Sequence, residues 1–148
     1  LTHDERGYPS MNVETQERLV RRLVNKVNPL ADELAMYETG DLDDAEVVVI
    51  SYGITSRVAQ RALQMARARG VKAGRFRLIT AWPFPEKAVG ELAARVKALV
   101  VPELNLGQMV REVERAAAGR ARVRAVPHAG GGVHKPEAIL DAIMESLR

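Results

Sequence analysis

The chain has 148 residues, 47% hydrophobic and 28% charged, with a net charge of +3 and no cysteine. That size and balance suit one domain with a sizeable core. The lack of thiolates excludes a disulfide framework, a cysteine zinc site and an iron–sulfur cluster held by this chain, and it fits a reducing cytoplasm. No apolar run approaches the roughly 20 residues of a membrane span, and no signal-peptide pattern is visible. The basic residues are spread over several helices and aromatics are only 4%, which speaks against a nucleic-acid partner.

Residues 1–11 show no periodicity and start without methionine. They read as a tether cut from a longer polypeptide, or as an arm lying on a neighbouring surface. A helix begins near Asn12, with Leu19, Val20, Leu23, Val24 and Val27 on one stripe and Arg18, Arg21, Arg22 and Lys26 opposite. It either packs on its own sheet or connects to another domain. Pro29 breaks the pattern, 30–38 reads ambiguously as one more helical turn and then a short strand near 35–38, and 40–44 is a polar turn. The expected organisation is a connecting arm and amphipathic helix over 1–30 and an α/β domain over 31–148.

The run Val47-Val48-Val49-Ile50 is β-branched and unbroken, the mark of a strand buried on both faces. It ends at Gly53, where the backbone can turn sharply, and Thr55 or Ser56 can cap the helix that follows to about Arg69. Gly70 closes that helix. A partly alternating strand over 74–79 lies nearer an edge. Then come a stiff loop, Trp82-Pro83-Phe84-Pro85, and a helix opened by Pro85. A strand over 98–101, a helix closed by Gly119, a strand over 123–126, a glycine loop and a helix opened by Pro136 complete the chain. Strand–helix alternation with short connections argues for a mostly parallel sheet covered on both faces.

Few residues carry a chemical signature. The turn around Gly53, Thr55 and Ser56 sets hydroxyls at a helix N-terminus, where an anion can be held, although capping alone accounts for them. With one glycine, the dinucleotide fingerprint is absent. Asn105 and Gln108 have capping-box spacing. Glu103 falls at the carboxyl edge of the sheet, where open α/β sheets place functional groups, although a surface salt bridge is its commoner fate. Gly130-Gly131-Gly132-Val133-His134-Lys135 is either a phosphate cradle or a flexible connection. His3, His128 and His134 show no metal-ligand spacing. Trp82 and Phe84 are core plugs or interface anchors.

Four stretches in order resemble one family: residues 1–9, Val49-Ile50-Ser51-Tyr52-Gly53, Trp82-Pro83-Phe84-Pro85 and Val101-Pro102-Glu103-Leu104-Asn105-Leu106-Gly107-Gln108. Together they are similar to the C-terminal part of the alpha subunit of 2-oxoacid:ferredoxin oxidoreductases, most like the 2-oxoglutarate type. The resemblance implies a transketolase C-terminal-like fold. That is a three-layer α/β/α sandwich with a five-stranded, mostly parallel sheet in the order 1-3-2-4-5 and strand 1 antiparallel. The strands would be near 35, 46–52, 75–79, 98–101 and 123–128. In that order the turns at 53–56 and 103–108 face each other across the switch point.

The family converts a 2-oxoacid and coenzyme A to acyl-coenzyme A and carbon dioxide while reducing ferredoxin. It uses thiamine diphosphate with magnesium and iron–sulfur clusters. This chain has no Gly-Asp-Gly…Asn segment and no cysteine. No catalytic, cofactor-binding or metal residue is therefore carried onto it. The expected role is assembly and shaping of a cleft, in the cytoplasm, within an oligomer that includes the rest of the alpha subunit, the beta subunit and, through the holoenzyme, ferredoxin. Gly53, Thr55, Ser56, Trp82, Phe84, Glu103, Asn105 and Gln108 are the candidate interface or anion-site residues. The alternatives are a stand-alone module binding an anion or coenzyme A in the switch-point crevice, and the equivalent domain of another thiamine enzyme; residues 1–9 disfavour the latter.

Overall fold

A computed structural model describes residues 2–148; Leu1, the first residue of the arm, lies outside them. The chain divides into two units, Leu1–Leu34 and Ala35–Arg148.

In the first unit, β1 (Thr2–His3) and β2 (Pro9–Ser10) pair antiparallel, so the arm is a small hairpin. The Asp4 carboxylate closes its turn by accepting the Arg6 and Tyr8 N–H groups, each at 2.9 Å. Helix α1 (Val13–Val27) starts where Asn12 Oδ1 accepts the Thr15 N–H at 3.0 Å, a regular side-chain cap. Its apolar stripe forms as its periodicity requires, and Val20, Leu23 and Val24 remain exposed. A 3-10 turn at Asn28–Leu30, with Pro29 at its start, and the short α2 (Ala31–Leu34) end the unit.

The second unit is a five-stranded sheet in the order β3-β5-β4-β6-β7. The strands are β3 (Tyr37–Gly40), β4 (Val47–Tyr52), β5 (Ala73–Leu78), β6 (Ala98–Glu103) and β7 (Arg122–Pro127). Counted from β3 this is the expected order; β3 runs antiparallel to β5 and the rest are parallel. β4 lies in the middle, and Val47, Val48, Val49 and Ile50 are wholly buried. Alternation of side chains divides them between two cores. Val48 and Ile50 pack with the apolar faces of α4 (Glu86–Ala93) and α5 (Met109–Ala117). Val47 and Val49 pack with those of α3 (Thr55–Ala68) and α6 (Pro136–Ser146).

Boundaries differ where tertiary pairing overrides local pattern. β3 starts at Tyr37 rather than near 35, because its register is set by Tyr37 opposite Leu78 and by the Met36 N–H bonding Thr80 Oγ1 at 2.8 Å. β5 begins at Ala73. A Cβ on its Gly74 would lie 2.9 Å from the Asp41 carbonyl oxygen, so the strand passes the 41–45 turn only as glycine. Pro85 is the residue before α4, one position earlier than expected. Among the described residues no helix is long and apolar enough to cross a membrane.

Candidate functional site

The central strands part towards their carboxyl ends. β4 and β6 are in register only from Val47–Val49 opposite Ala98–Val100, and beyond that β6 pairs with β7 alone. The last residues of the two strands, Tyr52 and Glu103, bridge the gap.

Glu103 is 1% exposed. Its Oε2 accepts the Met109 N–H at 2.8 Å, the Gln108 N–H at 3.3 Å, the Asn105 Nδ2–H at 3.2 Å and the Tyr52 hydroxyl at 3.3 Å. Its Oε1 accepts the Val110 N–H at 2.9 Å. Asn105 Nδ2 also donates to the Tyr52 oxygen at 3.1 Å, and Asn105 Oδ1 accepts the Gly107 N–H at 2.7 Å. Five donors converge on this one carboxylate, four of them on Oε2, so Glu103 is engaged as the acceptor that holds the turn together. Its charge sits where the helix dipole is positive and satisfies donors that α5 would otherwise leave free. Burial first, and then the Glu103 charge, push the Tyr52 phenol above its ordinary 10.0.

The Asn105–Gln108 capping box does not form. α5 begins at Met109 and the Gln108 side chain makes no capping bond. Glu103, five to seven residues back, reaches the same N–H groups from the strand end and displaces Asn105 into a turn of its own. Nor does Glu103 enter a surface salt bridge, because the turn folds over it.

The turn after β4 is built differently. Gly53 has φ +56° and Ile54 precedes the helix without a side-chain cap. Thr55 and Ser56, expected as caps, lie inside the first helical turn and are buried. Ser51 Oγ–H donates to Ser56 Oγ at 3.1 Å. Among the described residues no recorded bond joins 53–56 to 103–108; Tyr52 makes that connection.

Trp82 and Phe84 part company. Phe84 is 5% exposed and joins the α4–α5 core, while Trp82 is 65% exposed. Ile54, Ile79, Leu104, Leu106 and Val133 are exposed as well, in the turns after β4, β5, β6 and β7. The carboxyl edge thus presents an apolar rim.

Sequence reasoning left out Tyr52 as a site residue, and Arg75 and Arg77. Their alternation about Phe76 was the available signal, since residues two apart in a strand share a face. His128 and His134, distant by spacing, have ring centroids 5.3 Å apart because the glycine loop turns back. His134 Nε2 lies 2.8 Å from the Val126 carbonyl oxygen, and its Nδ1 is buried without a partner. Among the described residues no three histidine, aspartate, glutamate or cysteine side chains converge as metal ligands. The donor set does not fit an iron–sulfur cluster or the magnesium of thiamine diphosphate, and no step through those groups is assigned to these residues.

The fold and the site define an α/β/α domain of the transketolase C-terminal type, with a locked carboxylate at its switch point and an apolar carboxyl edge. Residues 45–139 match the model of the pyruvate:ferredoxin oxidoreductase core domain II, and the chain belongs to that family. It is 48% identical over 145 residues to the 2-oxoglutarate synthase subunit KorA of Methanothermobacter marburgensis, covering 97% of this chain and 39% of that one. It is 44% identical to the KorA subunit of Methanocaldococcus jannaschii, over 97% of this chain and 38% of that one. Among solved structures, the 2-oxoglutarate:ferredoxin oxidoreductase of Magnetococcus marinus matches all of this chain and 26% of its own, at 28% identity and a TM-score of 0.80. A split-gene transketolase matches 74% of this chain and 41% of its own with a TM-score of 0.61 at 18% identity, a likeness of fold alone. The chain spans about two fifths of the length of the KorA relatives it matches.

Proposed function

We propose that this chain acts within the alpha subunit of a 2-oxoacid:ferredoxin oxidoreductase of the 2-oxoglutarate type. That enzyme turns a 2-oxoacid and coenzyme A into acyl-coenzyme A and carbon dioxide and passes the electrons to ferredoxin. The observation that carries the reading is 48% identity to a 2-oxoglutarate synthase subunit across nearly the whole chain. In this reading thiamine diphosphate, magnesium, the iron–sulfur clusters and coenzyme A are held by the rest of the alpha subunit and by the beta subunit, in an oligomeric, cytoplasmic enzyme. The first unit serves as the connecting arm and the second as the domain proper.

The domain's part is assembly and shaping of the cleft. Exposed Trp82 and the apolar rim supply contact area, and Glu103, Asn105 and Gln108 fix the turn that carries Leu104 and Leu106. Phe84, two residues on from Trp82, is anchored in the α4–α5 core. The crevice between β4 and β6 is a poor place for the phosphates of coenzyme A, since the buried Glu103 carboxylate already occupies the helix N–H groups that would hold them.

The test is turnover and assembly. The chain alone gives no coenzyme A-dependent reduction of ferredoxin by 2-oxoglutarate, and the complete alpha and beta subunits do. Trp82→Ala with Leu106→Asp in the complete enzyme lowers recovery of the assembled complex while leaving the melting temperature of the chain unchanged. Decarboxylation by the chain alone would refute the proposal.

A further inference from the structure

Three arginines meet beside the turn after β4. Val49 is opposite Arg75 and Ser51 opposite Arg77 in the parallel pairing of β4 with β5. Arg75 and Arg77 therefore rise from the sheet on the α3 side, next to the start of that helix. Gly53, Ser56, Arg57, Gln60, Arg75 and Arg77 line a hollow of about 240 Å³ there. Arg57 has no carboxylate within ion-pair reach among the described residues. Glu38, opposite Arg77 on β3, is the one carboxylate among the described residues within ion-pair reach of the other two, at 3.1 Å from Arg77 and 3.8 Å from Arg75. Three guanidiniums against one carboxylate leave an excess of two positive charges. Arg77 Nε is buried and finds no acceptor in the protein, so its fork is under-satisfied. The first turn of α3, 14 residues long, has no side-chain cap and adds positive potential. A Cβ at Gly53 would meet nothing within 4 Å, so the entrance is clear.

We infer that this hollow binds a small phosphate-bearing anion. A phosphate monoester dianion matches the charge excess, whereas a single carboxylate leaves half of it unbalanced. Planar guanidinium forks suit phosphate oxygens, which they hold in pairs. The volume admits the phosphate and a short organic stem, being less than the ~300–1,000 Å³ of drug-sized pockets. The site lies on the other side of Gly53 from the locked Glu103 turn and does not depend on the reading of the chain as an oxidoreductase domain.

Titration calorimetry of the full chain with inorganic phosphate, pyrophosphate and glycerol phosphate tests it. Saturable binding is expected, weakened about tenfold in Arg57→Gln and at least as much in Arg75→Gln, as loss of a charge-assisted pair implies. Glu38→Gln frees both strand arginines and tightens binding by about fivefold, an effect opposite in sign to simple damage. Arg57→Gln is a surface change that keeps the fold, so its result stands even if Arg75→Gln destabilises the sheet. Absence of saturable phosphate binding, or binding unmoved by Arg57→Gln, would overturn the inference. So would capture of a glutamate-rich peptide in place of all three phosphates, which would make the hollow a protein-docking surface. Subunit assembly is read separately, so the two proposals fail independently.

Discussion

The turns after β4 and β6 occupy equivalent places in the sheet and are finished in opposite ways. After β6, a buried carboxylate from the strand's own last residue takes up the N–H groups of α5 and closes the site. After β4, the helix starts without a side-chain cap and its neighbours are arginines. A negative charge is built into one turn and left out of the other. The contrast teaches that a helix N-terminus at a sheet's carboxyl edge has to be read with its neighbours. The same kind of element, a helix start beyond a strand end, is a structural joint in one case and an electropositive opening in the other.

Removing the internal charge is the harshest way to break this contrast. Glu103→Ala strands several buried donors and is expected to cost about 3 kcal/mol in urea unfolding, and Glu103→Gln, which keeps one acceptor oxygen, about 1 kcal/mol less than that. The open turn responds to backbone strain instead. Gly53→Ala has room for its methyl but must hold φ near +56°, and it should lose about 1 kcal/mol.

Tyr52 sharpens the comparison through pH. Its folded phenol ionises above 10.0. As pH rises past that value the unfolded phenol loses its proton first, so the stability it contributes is present below pH 10 and disappears as pH climbs through the folded value. Absorbance at 295 nm should show this late titration, and Tyr52→Phe should remove it. Gln108→Ala is the smallest effect, within about 0.5 kcal/mol, because the side chain is exposed and caps nothing. A loss near that of Glu103→Ala would restore the capping box and undo the account of the closed turn.

Much of the architecture was legible. The β-branched run at 47–50 announces a strand with two apolar faces, and the stripes of α3, α5 and α6 follow from their spacing. The sheet order came with the resemblance carried by four short stretches. The site was only half legible. Asn105 and Gln108 have the right spacing for a capping box, but spacing says nothing about a rival acceptor, and Glu103 reaches the same donors first. Thr55 and Ser56 are cap residues by type, yet their hydroxyls are drawn inward when the helix begins at Thr55. Trp82 and Phe84 look equivalent between their prolines, and only the position of the core separates a buried ring from an exposed one.

By itself the sequence determined the elements and their buried faces, because side-chain periodicity and β-branching act over a few residues. Tertiary structure alone decided which polar groups meet. Tyr52 and Glu103 stand 51 positions apart and touch only because β4 and β6 are neighbours at a point of divergence. Arg57 joins Arg75 and Arg77 only because the register sets Ser51 opposite Arg77. Hydrogen bonds and charge pairs depend on distances of a few ångströms, and those are fixed by strand pairing rather than by any local run of residues.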